Sequence, residues 1–366
     1  MSSIGDRVLQ ILARVCPDLP HREVAERAGM TPDAFSRSVN DKRQFASIEL
    51  ARIAEITGTD LHWLVTGQPD PSRLIVAARH NFDQATGLRS VPGRTHDEQV
   101  LADIALAYRQ AYPRPEDQPD AAATWPKTAA AIRGALGDAF VRPFAKLLEE
   151  RLGIDVVRVK ELSTAYSFTV AGRPVIALPA TGSWFYENWS MAHELRHLLN
   201  GDHDDSLSAD DAAGREQACN AFAAELLLPA DEIRAVDWES VSDAELARFI
   251  WDRGVSTAAL RHRLEALLPQ LPARVARWAD STTQRLLRYH LPIDGELDAI
   301  TTRMDEAAQR RFPLALQEAH LKQVEDGVIG KATLAWMLDV DPAELEVDSP
   351  EVAQADADEL ASALGL

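Results

Sequence analysis

The sequence predicts a mainly α protein with a small β-sheet. It reads as an all-α amino-terminal module, a central α+β domain and a helical carboxy-terminal domain. Three observations carry this. Apolar residues recur at helical spacing along most of the chain. The β-type runs, rich in Val, Ile, Tyr, Phe and Thr, cluster between residues 155 and 178. Breaks rich in Pro and Gly fall at 67–72 and 113–119. The expected boundaries are 1–68 for the module and 69–125 for a linker with an amphipathic helix. The α+β domain is expected over 126–270 and an acidic helical domain over 271–366.

Residues 4–67 read as five short helices. His21–Met30 is a helix closing on a glycine turn. Thr31 then caps a second helix with Pro32 at its first position, and Phe35 and Val39 point inward at i, i+4. This is a helix-turn-helix spacing, with small Ala25 where the two helices cross. The stretch, continuing through Ile48–Ala54 and Trp63–Gly67, resembles the lambda-repressor-like (XRE) DNA-binding family. The resemblance implies that Thr31, Asp33, Ser36 and Arg37 face base edges in the major groove of double-stranded operator DNA, with Arg22, Lys42 and Arg43 on phosphates. Residues 1–67 hold eight basic against nine acidic side chains. Binding would therefore rest on a local patch and on a homodimer.

Beyond the linker, His96–Tyr112 reads as an amphipathic helix and Phe140–Leu152 as the first long helix of the central domain. Strands follow at 155–159, 166–170 and 174–178, the last two joined by a turn at Ala171-Gly172-Arg173. The most informative stretch is His193-Glu194-Leu195-Arg196-His197. Histidines four apart share one helix face, so both can bind one metal ion, and the adjacent glutamate can reach a metal-bound water. Met191, Leu195, Leu198 and Leu199 supply the buried stripe, and Gly201 the stop. A tetrahedral catalytic metal needs a third protein ligand. Glu216, opening a second helix, is the preferred one. His203, six residues after His197, is the alternative. Glu225 lies on the opposite side of its helix from Glu216.

The pair Ala192-His193-Glu194-Leu195-x-His197-Leu198 and Glu216-x-x-Cys219-Asn220-x-Phe222-Ala223-Ala224-x-Leu226-Leu227-x-Pro229 resembles the ImmA/IrrE family of zincin-like metallopeptidases. The resemblance implies an α+β zincin-like domain with Zn²⁺ held by His193, His197 and Glu216, and Glu194 as general base. Arg196 and Cys219 depart from the pattern: a small residue and an alanine are common there. Arg196 would crowd or charge the site mouth, and Cys219 would either touch the metal or pack as a small buried residue. Tyr186 and His262 are candidate donors to a substrate carbonyl. In zincins an edge strand pairs with an extended peptide; the sequence does not single out which strand that is.

The formal charge of −19 and apolar content of 46% suit a soluble globular chain and argue against wholesale coating of nucleic acid or anionic membrane. The two cysteines, Cys16 and Cys219, fall in different predicted domains, which points to a reducing cytoplasm. No run is apolar enough to span a bilayer. Residues 271–366 carry nine basic and eighteen acidic side chains, and their faint helix-turn-helix echo at 330–345 is too acidic for DNA. The expected function is a DNA-binding regulator of stress, phage or toxin–antitoxin type, with a zinc peptidase that cleaves a specific protein such as a repressor. The alternative is a non-proteolytic, antitoxin-like regulator whose metal domain is a sensor or structural.

Overall fold

A computed structural model describes residues 2–17, 19–68, 76–78, 81–82, 89–90, 94–113, 125–201, 209–291 and 298–347. His203, most of the two predicted breaks and the acidic tail after 347 lie outside the described residues. The chain divides into two compact units, Met1–Arg73 and Leu74–Leu366.

The first unit contains α1 (Ile4–Val15), α2 (His21–Arg27), α3 (Pro32–Val39), α4 (Ser47–Thr57) and α5 (Leu61–Thr66). Ser3 and Asp6 form a reciprocal cap on α1, and Thr31 Oγ1 accepts from Ala34 N on α3, each satisfying backbone N–H groups that a helix start leaves open. The turn between α2 and α3 passes through Gly29 at φ 76°. A Cβ there would lie 2.0 Å from Arg52 Nη1. Val8, Val24, Ala25, Phe35, Ile53 and Leu64 fill the centre. Each larger apolar side chain buried this way stabilises the unit by roughly 1.5–3 kcal/mol.

The second unit begins with β1 (Val76–Ala78), the short pair β2 (Asn81–Phe82) and β3 (Arg89–Ser90), and α6 (Arg94–Ala111). α7 (Ala129–Leu136) and α8 (Phe144–Leu152) lead into β4 (Asp155–Val159), β5 (Tyr166–Val170) and β6 (Arg173–Pro179). Next come α9 (Trp184–Asn200), α10 (Ala209–Leu227), α11 (Ala230–Arg234), α12 (Asp243–Arg253) and α13 (Thr257–Leu267). The chain continues through α14 (Ala273–Ala279), α15 (Thr283–His290), α16 (Ala299–Ala308), α17 (Leu314–Glu325) and α18 (Ala332–Leu338).

The main sheet has the order β1-β5-β6-β4, with β4 and β6 parallel and the other pairs antiparallel. Ala171 (φ 46°) and Gly172 (φ 69°) make the two-residue turn between β5 and β6, the left-handed pair that matches hairpin twist. Pro174 is tolerated in β6 because the ladder with β4 starts only at Val175, so its missing N–H leaves no gap there. The expected helix Phe140–Leu152 is shorter. It starts at Phe144, because Pro143 stands at its N-cap and Phe140 buries itself in the preceding turn.

Both sheet faces are covered. Val156, Ile176 and Leu178 pack with α8, α9, α10 and also Val275, Leu286 and Ile300 of α14–α16. Val157, Tyr166, Phe168 and Val175 pack with Ile104 and Tyr108 of α6 and with Leu316 and Leu334 of α17 and α18. Residues 271–347 and α6 therefore share the cores of the central domain, rather than forming a separate domain and a linker helix. A sheet buried on both faces needs two covering layers. Here the second layer comes from segments far apart in sequence.

Candidate metal centre

α9 runs across the inner face of the sheet and stops at Gly201, which takes the left-handed C-cap conformation at φ 71°. Met191, Ala192, Leu195, Leu198 and Leu199 are buried in the core beneath it. The same burial fixes the rotation of the helix, so His193, Glu194 and His197 are held on its other side. His193 and Glu194 are fully buried and His197 nearly so. α10 packs against α9 through the small Ala223 and Cys219, both without exposure, and turns Glu216, Cys219 and Asn220 toward the histidines at i, i+3 and i+4.

Glu216 Oε2 lies 3.2 Å from His193 Nε2, and its Oε1 lies 3.4 Å from His197 Nε2. Neighbouring ligand atoms of a tetrahedral zinc with bonds near 2.1 Å stand about 3.4 Å apart. Glu216 thus spans the two histidines, one carboxylate oxygen beside each Nε2. His193 Nε2 and Glu194 Oε1 are buried without an aligned hydrogen bond, an uncommon cost that a ligand would remove. The other ring nitrogens are held from outside. His193 Nδ1 lies 3.1 Å from Asn220 Oδ1 and His197 Nδ1 lies 3.6 Å from Cys219 Sγ, so each Nδ1–H can donate outward and leave Nε2 as the ligand.

His193, His197 and Cys219 by themselves also make a compact potential metal cluster, with ligand atoms within 4.8 Å. The thiol, however, faces Nδ1 of His197, on the opposite side of the ring from the nitrogen that faces Glu216. Glu216 thus lies beside Nε2 of both histidines, and Cys219 beside Nδ1 of His197. Arg196 does not crowd the site. Its guanidinium donates to Lys127 O at 2.9 Å and stacks on Phe222.

Charge follows the same geometry. Burial pushes the Glu216 carboxyl up, but the two histidines outweigh it and hold the group down at about 2. Burial pushes His197 down, and Cys219, Glu216 and Glu194 overcome this to raise it to about 11. In the absence of a metal, a proton on His197 thus supplies the positive charge the carboxylates require. Burial raises Glu194 above the usual carboxylate range, with His197, His193 and the Ser167 hydroxyl partly opposing it.

Ser167 was not singled out from sequence, and Asn220 was read only as part of the second motif, without a role. Ser167, on β5, donates to Glu194 Oε2 at 2.8 Å. Strand alternation of Tyr166-Ser167-Phe168 was the available signal, since it puts Ser167 on the α9 face. Next to Asn220 opens a cavity of about 750 Å³ with Phe185, Tyr186, Trp189, Ala259 and His262 in its walls. Tyr186 and His262, both named from sequence, thus line one cavity, which meets the surroundings of the metal centre at Asn220. The outer side of β5 is paired with β1, so β5 itself presents no free edge.

The residues expected to meet DNA lie in the first unit. Thr31, Asp33, Ser36, Arg37 and Lys42 are exposed on and just after α3, and exposed Arg22 pairs with Glu26 on α2. Arg43, expected on a phosphate, also has partners inside the module: it forks onto both oxygens of buried Glu49 at 2.8 Å and reaches Ser38 Oγ at 3.0 Å. Its donors bind the module together, because Glu49 also closes the cap of α4 through Ala46 N.

Searches among curated proteins and among solved structures find no match to this chain. The peptidase M78 family model, described as an IrrE N-terminal-like domain, matches residues 149–265. The matched stretch runs from the end of α8 to α13 and contains every residue of the metal centre, so this part of the chain carries an IrrE-like, metallopeptidase-type domain.

Proposed function

We propose that the protein is a zinc-dependent endopeptidase that cleaves a specific protein, such as a repressor, and that its first unit is an XRE-type module binding operator DNA as a homodimer. The observation that carries the peptidase reading is the convergence of His193 Nε2, His197 Nε2 and the Glu216 carboxylate beside buried Glu194. A zinc ion bound by these three would polarise the scissile carbonyl and make a nucleophile of water at neutral pH. With the ion bound, Glu194 Oε1 would take the proton of the attacking water and pass it to the departing amine. Ser167 fixes Glu194 by occupying its other oxygen. Asn220 and Cys219 keep both imidazoles in the ligating tautomer. The neighbouring cavity accepts substrate side chains, and Tyr186 or His262 in its wall can donate to the developing oxyanion. The DNA-binding reading rests on the exposed face of α3, with Thr31, Asp33, Ser36 and Arg37 free of the core.

The test is the full chain, zinc-loaded, incubated with candidate repressors co-expressed beside it. Wild type should cut one of them at a defined bond. Glu194→Gln should keep the zinc and lose roughly 10²–10⁴-fold in rate. If wild type and Glu194→Gln leave every candidate intact while zinc alters operator binding, the metal domain is a sensor and the peptidase reading fails.

A further inference from the structure

A second cavity, of about 170 Å³, lies on the far side of α9. Trp184, Glu187, Asn188 and Met191 line it from one face of the helix; His193 and His197 project from the opposite face. Five cationic side chains enclose it: Arg142, Lys146, Arg158, Arg303 and Arg311. Its only lining acids are Glu187 and Glu306. In a chain of net charge −19, this concentration of positive charge is a local reversal.

Part of it is already neutralised. Arg158 pairs with Glu187 at 2.6 Å, Arg311 forks onto Glu149, and Lys146 lies 3.6 Å from Glu150 at the surface. Glu306 is exposed, and its charge, like that of Glu187, still acts on Arg303. Arg142 and Arg303 have no carboxylate within ion-pair distance among the described residues. Both instead stack on the Trp251 ring, at 4.9 and 5.2 Å from its centroid, and Arg303 also covers Trp184 at 5.1 Å. Two like charges on one indole repel each other. Burial, and then Arg142, pull the Arg303 guanidinium down to about 10. Both inner guanidinium groups are also anchored to backbone, Arg158 through Gln309 O at 3.2 Å and Arg303 through Val141 O at 3.1 Å, which holds them in place at the cavity wall.

We propose that this cavity binds a small tetrahedral oxyanion, as free phosphate or as the phosphoryl group of a small phosphomonoester. A volume of about five waters suits one such group and little more. The five cations outnumber the four carboxylates that line the cavity or pair with them, and the oxygens of a tetrahedral anion accept from several guanidinium N–H groups at once, which a planar carboxylate does less well. Carbon beyond the phosphoryl group would leave through the exposed Arg142 and Lys146 side. The bound anion would touch α9 directly behind the metal centre. The proposal does not depend on the peptidase reading.

The experiment is equilibrium dialysis of labelled inorganic phosphate against the full chain in chloride buffer, once zinc-loaded and once chelator-treated. Saturable binding of one phosphate per chain in both states is expected. The double variant Arg142→Gln/Lys146→Gln changes exposed side chains and should fold normally, with binding weakened about tenfold or more. Arg303→Gln, checked for folding by circular dichroism, should bind none; if it does not fold, the surface double variant decides. Competition by a sugar phosphate identifies the phosphomonoester as the ligand class, and its failure to compete identifies free phosphate. Absence of saturable binding overturns the proposal. So does binding that only the zinc-loaded protein shows, or that the double variant leaves unchanged, since the phosphate then sits elsewhere.

Discussion

The two regions with candidate functional residues are built in opposite ways. In the metal centre, His193 and Glu194 are fully buried, and named partners hold them: Asn220, Ser167 and Glu216. In the first unit, Thr31, Asp33, Ser36, Arg37 and Lys42 stand in solvent on a helix whose opposite side is core. Chemistry on a bond needs groups desolvated and aimed beforehand. Reading a surface needs groups that can reach and adjust. Arg43 sharpens the contrast: a cation beside the exposed helix that is committed to internal bonds.

The largest effect should follow from removing a ligand. His193→Ala or Glu216→Gln should lower zinc from about one per chain to none in elemental analysis, with activity falling to background. Zinc uptake should also depend on pH, because ligation needs neutral His197 and the metal-free centre holds it protonated. Affinity should rise with pH, by about tenfold per unit for each proton displaced. The metal-free pair has its own signature. Glu216, depressed from 4.5 to about 2, contributes stability present above the unfolded value and lost as pH falls toward 2. His197, raised from 6.5 to about 11, contributes stability present below 6.5 and lost as pH rises toward 11. Chelator-treated protein should therefore gain most from this pair between pH 4.5 and 6.5. A melting temperature highest at pH 9 would contradict that assignment.

Leu195→Ala, beneath the ligand face, should cost about 2–5 kcal/mol in denaturant unfolding and weaken zinc binding without touching a ligand. In the first unit, the two arginines should separate cleanly. Arg37→Ala should leave the module's melting temperature unchanged and cost about 1–3 kcal/mol in operator binding. Arg43→Ala should instead destabilise the module by about 1–3 kcal/mol, because Glu49 loses a charged partner. Equal effects of both on DNA affinity, with no loss of stability, would erase the distinction. The smallest change is expected from Ser167→Ala. Its hydroxyl helps hold Glu194 down, so the acid limb of kcat/KM should move to higher pH, by up to about one unit.

Much of the site could be read before the fold. The spacing of His193 and His197 sets a shared helix face wherever that helix packs, and Thr31-Pro32 sets the start of α3 by local capping chemistry. Ser167 was not readable in this way. A serine in a strand becomes a partner of Glu194 only because β5 lies under α9, a contact across 27 residues. The cations at Arg142, Arg158, Arg303 and Arg311 give no local signal either, since they come from four separate segments. Likewise, α6 read as a linker helix because it is amphipathic by itself, and residues 271–366 as a separate domain because of their acidity. Periodicity shows that a face must be buried but does not name what it is buried against.

The sequence alone determined helices such as α2, α3 and α9, the strands β4, β5 and β6, the turn at Ala171-Gly172 and the helix face that His193 and His197 share. These depend on backbone sterics, capping and periodicity, which act over a few residues. Tertiary structure decided that Glu216 comes within 3.2–3.4 Å of both histidines, that Cys219 stands behind His197, that Arg43 forks onto Glu49, and that helices from both ends of the second unit close over one sheet. Those outcomes depend on which apolar faces cover each other, a choice made by packing across the whole unit rather than by any local segment.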